Sequence, residues 1–431
     1  GTGGIYSTAE DLLRFSQIFT GQAKGILTDK SAEAMEQAEY KTPLWPDEAD
    51  NSIGYGLGWD SVDLYPFGEY GIQALTKGGD TILYHASLVV LPDQDMAAAV
   101  LSSGGSSTTD QLLANEILLQ ALKEKGKIAE FKPEKSYGKP EKANMPESVL
   151  QYAGIYGASN QTMKAEISPS GELSLSTEQA PEYPAEKYEY SADGNFRSAD
   201  GNTMLRFVTE ENGRTYLWTR QYVSLPGLGQ TALSLYSAEK LEPRDLPAET
   251  AEAWKKRDGK KYYMLNEKRT SLAYLLSPTL QLNLSKQLPG YVLDKPITGP
   301  NTAASEVQIP GLYGRDYVSY TFYTQEGVEY LDASGSVFVS EDAVKPIYVA
   351  KKSAATIPSS GYAKWYTVSD KDAGKTVKVN TPANGSFAVY DEKGTCVYFS
   401  VIGGDRTVEL PAKGSVVFAG DPGSKFEISL Q

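Results

Sequence analysis

Few residues in this 431-residue chain combine type and spacing that could do chemistry. There is one histidine, His85, so a His-based metal site or a Ser-His-Asp triad would have to use it alone. Its place within a β-rich run fits a packed or hydrogen-bonded sheet residue better than a catalytic one. There is one cysteine, Cys396, which leaves no intrachain disulfide and no cysteine metal cluster. Alternation with Val397 and Phe399 makes it a buried, inert thiol. Ser237-Ala238-Glu239-Lys240 satisfies Ser-x-x-Lys, the spacing of a nucleophile and its base, but it lies at the end of a strand-like stretch where so short a pattern arises by chance. The pair Ser191–Asn195 and Ser198–Asn202, both Ser-Ala-Asp-Gly-Asn, invites a calcium reading, which two successive turns explain more simply. That leaves Lys77-Gly78-Gly79, a cation followed by two glycines. By its own residues it is a glycine turn entering a strand.

The elements that must position this cation are the clearest in the chain. The β-rich run Thr81–Leu91, the turn Pro92–Asp95 and the apolar run Met96–Leu101 predict an antiparallel hairpin. Both runs are apolar enough to lie in the middle of a sheet. Thr108-Thr109-Asp110-Gln111 has capping-box spacing, and Leu112, Leu113, Glu116, Ile117, Leu119 and Leu122 give an amphipathic helix after it. Upstream, Ser7-Thr8-Ala9-Glu10 opens a helix carrying Leu12, Phe15, Ile18 and Phe19 on one face, stopped by Gly21. A second short helix is predicted over Thr28–Gln37, and a short strand at Tyr55-Gly56-Leu57-Gly58-Trp59.

Composition narrows the functions. Apolar content of 40% suffices for real cores, and the length suggests roughly three domains. Basic residues number 41 against 55 acidic, a net charge of −14, so nothing is available to neutralise phosphates and nucleic acid is not an expected partner. No apolar run approaches the ~20 residues that span a bilayer. The chain opens at Gly1 with no signal peptide, which suggests trimming or processing.

Gly3–Phe15, Tyr55–Trp59 and Lys77–Thr81 with the following hairpin, taken in order and spacing, resemble the serine β-lactamase and penicillin-binding protein family, with its class C and D-alanyl carboxypeptidase-like branch nearest. The resemblance covers about residues 1–125, the C-terminal half of that family's catalytic domain. It implies that Lys77-Gly78-Gly79 stands for the family's Lys-Thr-Gly strand, with glycine in place of threonine. On that basis Lys77 supplies positive charge to a substrate carboxylate and to proton transfer, the Asp80 backbone N–H is an oxyanion-hole donor, and Gly79 lets the substrate backbone lie close. The family's Ser-x-x-Lys and Tyr-x-Asn motifs have no counterpart here and would precede Gly1.

Beyond Lys123 the chain turns polar, and 126–148 reads as a linker or loose strap. Residues 149–245 carry short strands separated by Asp-Gly and Asn-Gly turns, the pattern of a barrel or meander. Residues 246–431 form a second β-rich region with a mixed start, in which Ser271–Leu276 reads as a strand, and with a sandwich-like part from Ser305. Many of the chain's 29 tyrosines lie in its β-rich half and could offer a glycan or peptide platform, though packing explains them at least as well. The fold class is therefore α+β: a partial β-lactamase/transpeptidase-like antiparallel sheet with helices, then all-β domains. Two functions follow. One is the C-terminal part of an exported serine hydrolase acting through an acyl-enzyme on peptide or peptidoglycan-like substrates, without cofactor or metal. The other is a non-catalytic cell-envelope binding or scaffold protein. The expected partners are a further N-terminal fragment or another copy of the chain.

Overall fold

The computed structural model describes residues 4–39, 44–276, 278–403 and 407–431, so Gly3 of the segments named above lies outside it. Mostly β, the chain divides into two compact units. One is Gly1–Leu241 with Val307–Asp316, the other Glu242–Glu306 with Tyr317–Gln431.

In the first unit, helix α1 (Ala9–Ser16) begins where the Thr8 hydroxyl accepts the Asp11 N–H at 3.1 Å. The cap is thus one residue later than the Ser-x-x-Glu spacing placed it. Glu10 and Asp11 sit at the positive end of the helix dipole and both pair with Arg14. Helix α2 (Asp29–Met35) is capped by Thr28. Tyr55–Trp59, expected as a strand, makes only a bridge from the adjoining Gly54 to Ser61. Gly58, at φ +86°, turns the chain there, and Trp59 drops into the core edge-on to Phe19, ring centres 4.9 Å apart.

Three strands follow: β1 (Leu75–Asp80), β2 (His85–Leu91) and β3 (Met96–Ser102), antiparallel in the order β1-β2-β3. This corrects the hairpin predicted from Thr81. Lys77-Gly78-Gly79 is not a turn but the body of β1, with Gly78 opposite Ser87 and Gly79 opposite Ala86. The turn is Thr81–Tyr84, closed by the Thr81 N–H on the Tyr84 carbonyl at 2.8 Å. Glycines raise no steric bar to extended backbone, and a ladder running to Asp80 satisfies the polar groups that a turn at 78–79 would strand. Strand β2 is central as expected, whereas β3 is a sheet edge among the described residues.

Both faces of this sheet are covered. Val89, Leu91, Met96 and Ala98 pack against Ala114, Leu118, Leu119 and Leu122 of helix α3 (Ser107–Glu124). On the other face Leu75, Leu88 and Val90 meet Trp59 and Phe19. Ser106 caps α3, not Thr108, and the small Ala114 lets the helix approach the sheet, which leaves Leu113 and Ile117 exposed.

The polar stretch 126–148 is a bound strap rather than a loose linker. Lys135 pairs with Asp50 at 2.8 Å and Glu69 at 2.7 Å, and the Tyr137 ring lies 4.8 Å from that of Tyr222. Beyond it, eight strands between Gly154 and Leu241 close into an antiparallel barrel, the last strand pairing with the first at Glu239↔Gly157. The repeated Ser-Ala-Asp-Gly-Asn sequences are two of its turns, with Asp193 and Asp200 accepting the N–H groups of Asn195 and Asn202.

The second unit opens with helix Ala248–Lys255, whose Trp254 is fully buried, and an eight-stranded antiparallel sheet. The strands Tyr320–Gln325, Val328–Ala333 and Ser336–Ser340 belong to that sheet, not to a later unit beginning at Ser305. Ser271–Leu276 is no strand. It holds a 3-10 turn at Leu272–Leu275 that buries Tyr274. Five-stranded and four-stranded sheets complete the unit and share one core, Phe387, Val389 and Phe418 from the first meeting Val377, Phe426 and Ile428 from the second. Cys396 is half-buried, and burial pushes its thiol up.

Candidate functional site

The Lys77 cation sits on an open strand edge, held there by hydrogen bonds from an unpredicted direction. The outer edge of β1 is engaged as far as Thr76, whose N–H donates to the Ser61 carbonyl and whose carbonyl accepts the Asp60 N–H, each at 2.9 Å. One step on, the Asp60 carboxylate takes over. Its Oδ2 accepts the Gly78 N–H at 2.8 Å and the Lys77 Nζ at 3.0 Å. Lys77 is half exposed and Asp60 about a third exposed, so this is a solvent-reachable pair and not a buried one.

Strand geometry then fixes where Asp80 points. Backbone groups alternate along a strand, so the N–H of Asp80 faces the same outer edge as those of Thr76 and Gly78. An added Cβ at Gly79 would meet nothing within 4 Å, so the face of the sheet is open at that point. At Gly78 the same atom would come 3.3 Å from the Ser107 side chain, so the first turn of α3 lies close against the strand there.

The side chain of Asp80 has a separate task. Its Oδ2 accepts the Ser107 hydroxyl at 2.6 Å, and its Oδ1 accepts the Ser107 N–H at 2.8 Å and faces His85 Nδ1 at 2.6 Å. Partial burial would raise this carboxyl, but the bonds from Ser107 and His85 outweigh it and hold the group below the usual carboxylate range. His85 stands directly opposite Asp80 in the ladder. The lone histidine is thus a partner of Asp80.

Asp60 and Ser107 were not picked out by motif. Asp60 directly follows Tyr55–Trp59, which buries Trp59 and thereby sets Asp60 beside β1. Gly56 is needed for that path, since a Cβ would fall 2.4 Å from Val62 and 2.7 Å from the Met35 carbonyl. The segment Val307–Asp316 also belongs to this unit. Gln308 donates its N–H to Glu239, Ser159 donates to the Tyr313 carbonyl, and Arg315, paired with Asp316 at 2.8 Å, lies near enough to Asp60 and Tyr55 to feel their charge. A cleft of about 730 Å³ lies elsewhere, with an acidic lining of Asp47, Glu48, Asp50, Asp63 and Glu69.

Of the sequence candidates, the fold brings Lys77, Gly79 and Asp80 onto one strand. It leaves Ser237 and Lys240 on the last barrel strand. Ser87 is fully buried, and Ser102 is committed to the Gly104 carbonyl and Asp110. Among the described residues no group of three or more histidine, cysteine or acidic side chains is placed to hold a metal ion, and no helix is long and apolar enough to cross a membrane.

Comparison with known proteins finds distant similarities. A crystal structure of SurE with D-Leu is 19% identical over 54% of this chain and 49% of its own, with a TM-score of 0.33. A second SurE structure gives 17%, 55%, 48% and 0.31. The octameric penicillin-binding protein homologue from Pyrococcus abyssi is 13% identical, covering 77% of this chain and 46% of its own, with a TM-score of 0.23. The chain spans about half the length of these structures. No curated protein matches it. Residues 1–123, the segment that carries Lys77 and Asp80, match the Beta-lactamase family model.

Proposed function

We propose that residues 1–125 supply the strand side of a serine hydrolase site of the class C and D-alanyl carboxypeptidase-like kind, acting through an acyl-enzyme on peptide or amide substrates. The observation that carries this is the outer edge of β1. Lys77 and the Asp80 N–H lie on it in sequence order, with the sheet face open at Gly79 and all of them inside the matched segment. In this role Lys77 supplies positive charge to a substrate carboxylate and to proton transfer. The Asp80 N–H stabilises the oxyanion, and Gly79 admits the substrate backbone. Asp60 keeps the Lys77 ammonium on the edge without burying it. The nucleophile and its base come from outside these 431 residues, which offer no serine paired with a lysine at helical spacing in the family's context. The all-β regions, the last of them sandwich-like, and location outside the cell or at its envelope belong to the same proposal. The latter rests on the family resemblance.

The test uses the polypeptide in full as its gene encodes it. Incubation with a fluorescent penicillin followed by intact-mass measurement should give a stoichiometric acyl adduct on a serine of a Ser-x-x-Lys motif. No adduct at millimolar penicillin, with no such motif in the full sequence, would favour a binding or scaffold protein.

A further inference from the structure

We infer that the Asp80 side chain, with Ser107 and His85, is a clamp that sets the position of the Asp80 backbone N–H. The carboxylate takes a hydroxyl and an N–H from Ser107, the first residue of α3, and faces His85 Nδ1 on β2. One residue therefore ties the end of β1 to a helix start and to the neighbouring strand. The need is plain from what surrounds it. Asp80 is the last residue of β1, followed by the exposed turn Ile82-Leu83-Tyr84, and beyond Gly78 the outer edge has no neighbouring strand among the described residues. Two glycines precede it, so no side chain at 78 or 79 holds this stretch. An N–H meant to meet a developing oxyanion has to be fixed before the charge appears, to within about half an ångström. The clamp meets that requirement from the α3 face of the sheet and leaves the open edge clear. Asp80 is thus a positioning residue through its carboxylate, while its backbone does the chemistry.

This rests on the hydrolase reading, and the experiment separates the two. Hydrogen exchange of the peptides spanning 75–85 is compared in wild type, Asp80→Asn, Ser107→Ala and His85→Gln, alongside the acylation rate of each full-length polypeptide with a fluorescent penicillin. Asp80→Asn keeps the size but weakens acceptance from Ser107. Ser107→Ala, which keeps the backbone bond, is the milder control should that variant fold poorly. Exchange in 78–84 should rise at least tenfold in Asp80→Asn and less in the other two. Acylation should slow at least tenfold with half-saturation little changed, a split that general loss of stability does not produce. Unchanged exchange in Asp80→Asn, or unchanged acylation despite faster exchange, overturns the clamp. If wild type takes up no penicillin, the hydrolase reading falls, and the exchange comparison alone still decides whether the clamp exists.

Discussion

Residues at the β1 edge do different jobs with side chain and backbone. Asp80 shows this most sharply, since its N–H faces the open edge while its carboxylate is held by Ser107 and His85. Because those bonds depress its pKa against the opposing effect of burial, the sign of its pH dependence follows. Its contribution to stability is complete above the ordinary carboxylate range and is lost as pH falls through the depressed folded value. His85 is the titratable group facing it. Thermal unfolding from pH 7 downwards should show wild type more stable than Asp80→Asn, with the gap closing at acid pH. A gap independent of pH would refute this. Lys77, Gly79 and Asp80 were singled out through the family resemblance, since the spacing Lys77-Gly78-Gly79 alone reads as a glycine turn entering a strand. Asp60 and Ser107 were not, because they reach the strand from 17 and 27 residues away and carry no local pattern of their own.

Elements were legible where local chemistry decides them and illegible where packing does. Asp-Gly and Asn-Gly pairs marked the barrel turns correctly, since only a residue tolerant of positive φ fits there. The strap was misread because charge and proline suggest a linker, while Lys135 and Tyr137 find partners far away in sequence. The two meet at Gly201, at φ +77°, where an added Cβ would lie 2.5 Å from the Gly138 backbone of the strap. Gly213 has the same φ but nothing within 4 Å. Gly213→Ala should therefore cost only the backbone strain, about 1 kcal/mol. Gly201→Ala should cost about 2–4 kcal/mol, the strain plus displacement of the strap. Equal losses in urea titrations would mean the strap does not press on the barrel.

At the scale of the whole molecule, helix α1, the segment before it and the turn after β1 leave apolar side chains in solvent. Ile5 is 87% exposed, Tyr6 92% and Phe15 48%, with Ile82, Leu83 and Tyr84 also outside. The chain as given should therefore self-associate or bind an apolar dye, as read by light scattering and dye fluorescence. A monodisperse monomer that binds no dye would contradict this. On the proposed division of the site, the 431 residues alone should also stay unmodified by a fluorescent penicillin, since catalytic groups act as a unit. A stoichiometric adduct on any serine of this chain would overturn the division of the site.

The measurement that bears most directly on the account is the acylation rate of Lys77→Ala in the full gene-encoded polypeptide. Lys77 is half exposed and shares Asp60 with the Gly78 N–H, so its loss removes charge from the edge without opening a core. Acylation by a fluorescent penicillin should fall by about 10²–10³, as for loss of a preorganised transition-state contact. The melting temperature should move by no more than about 2 °C, as for an exposed ion pair. Equal acylation rates in Lys77→Ala and wild type would contradict the assignment of this strand to a serine hydrolase site.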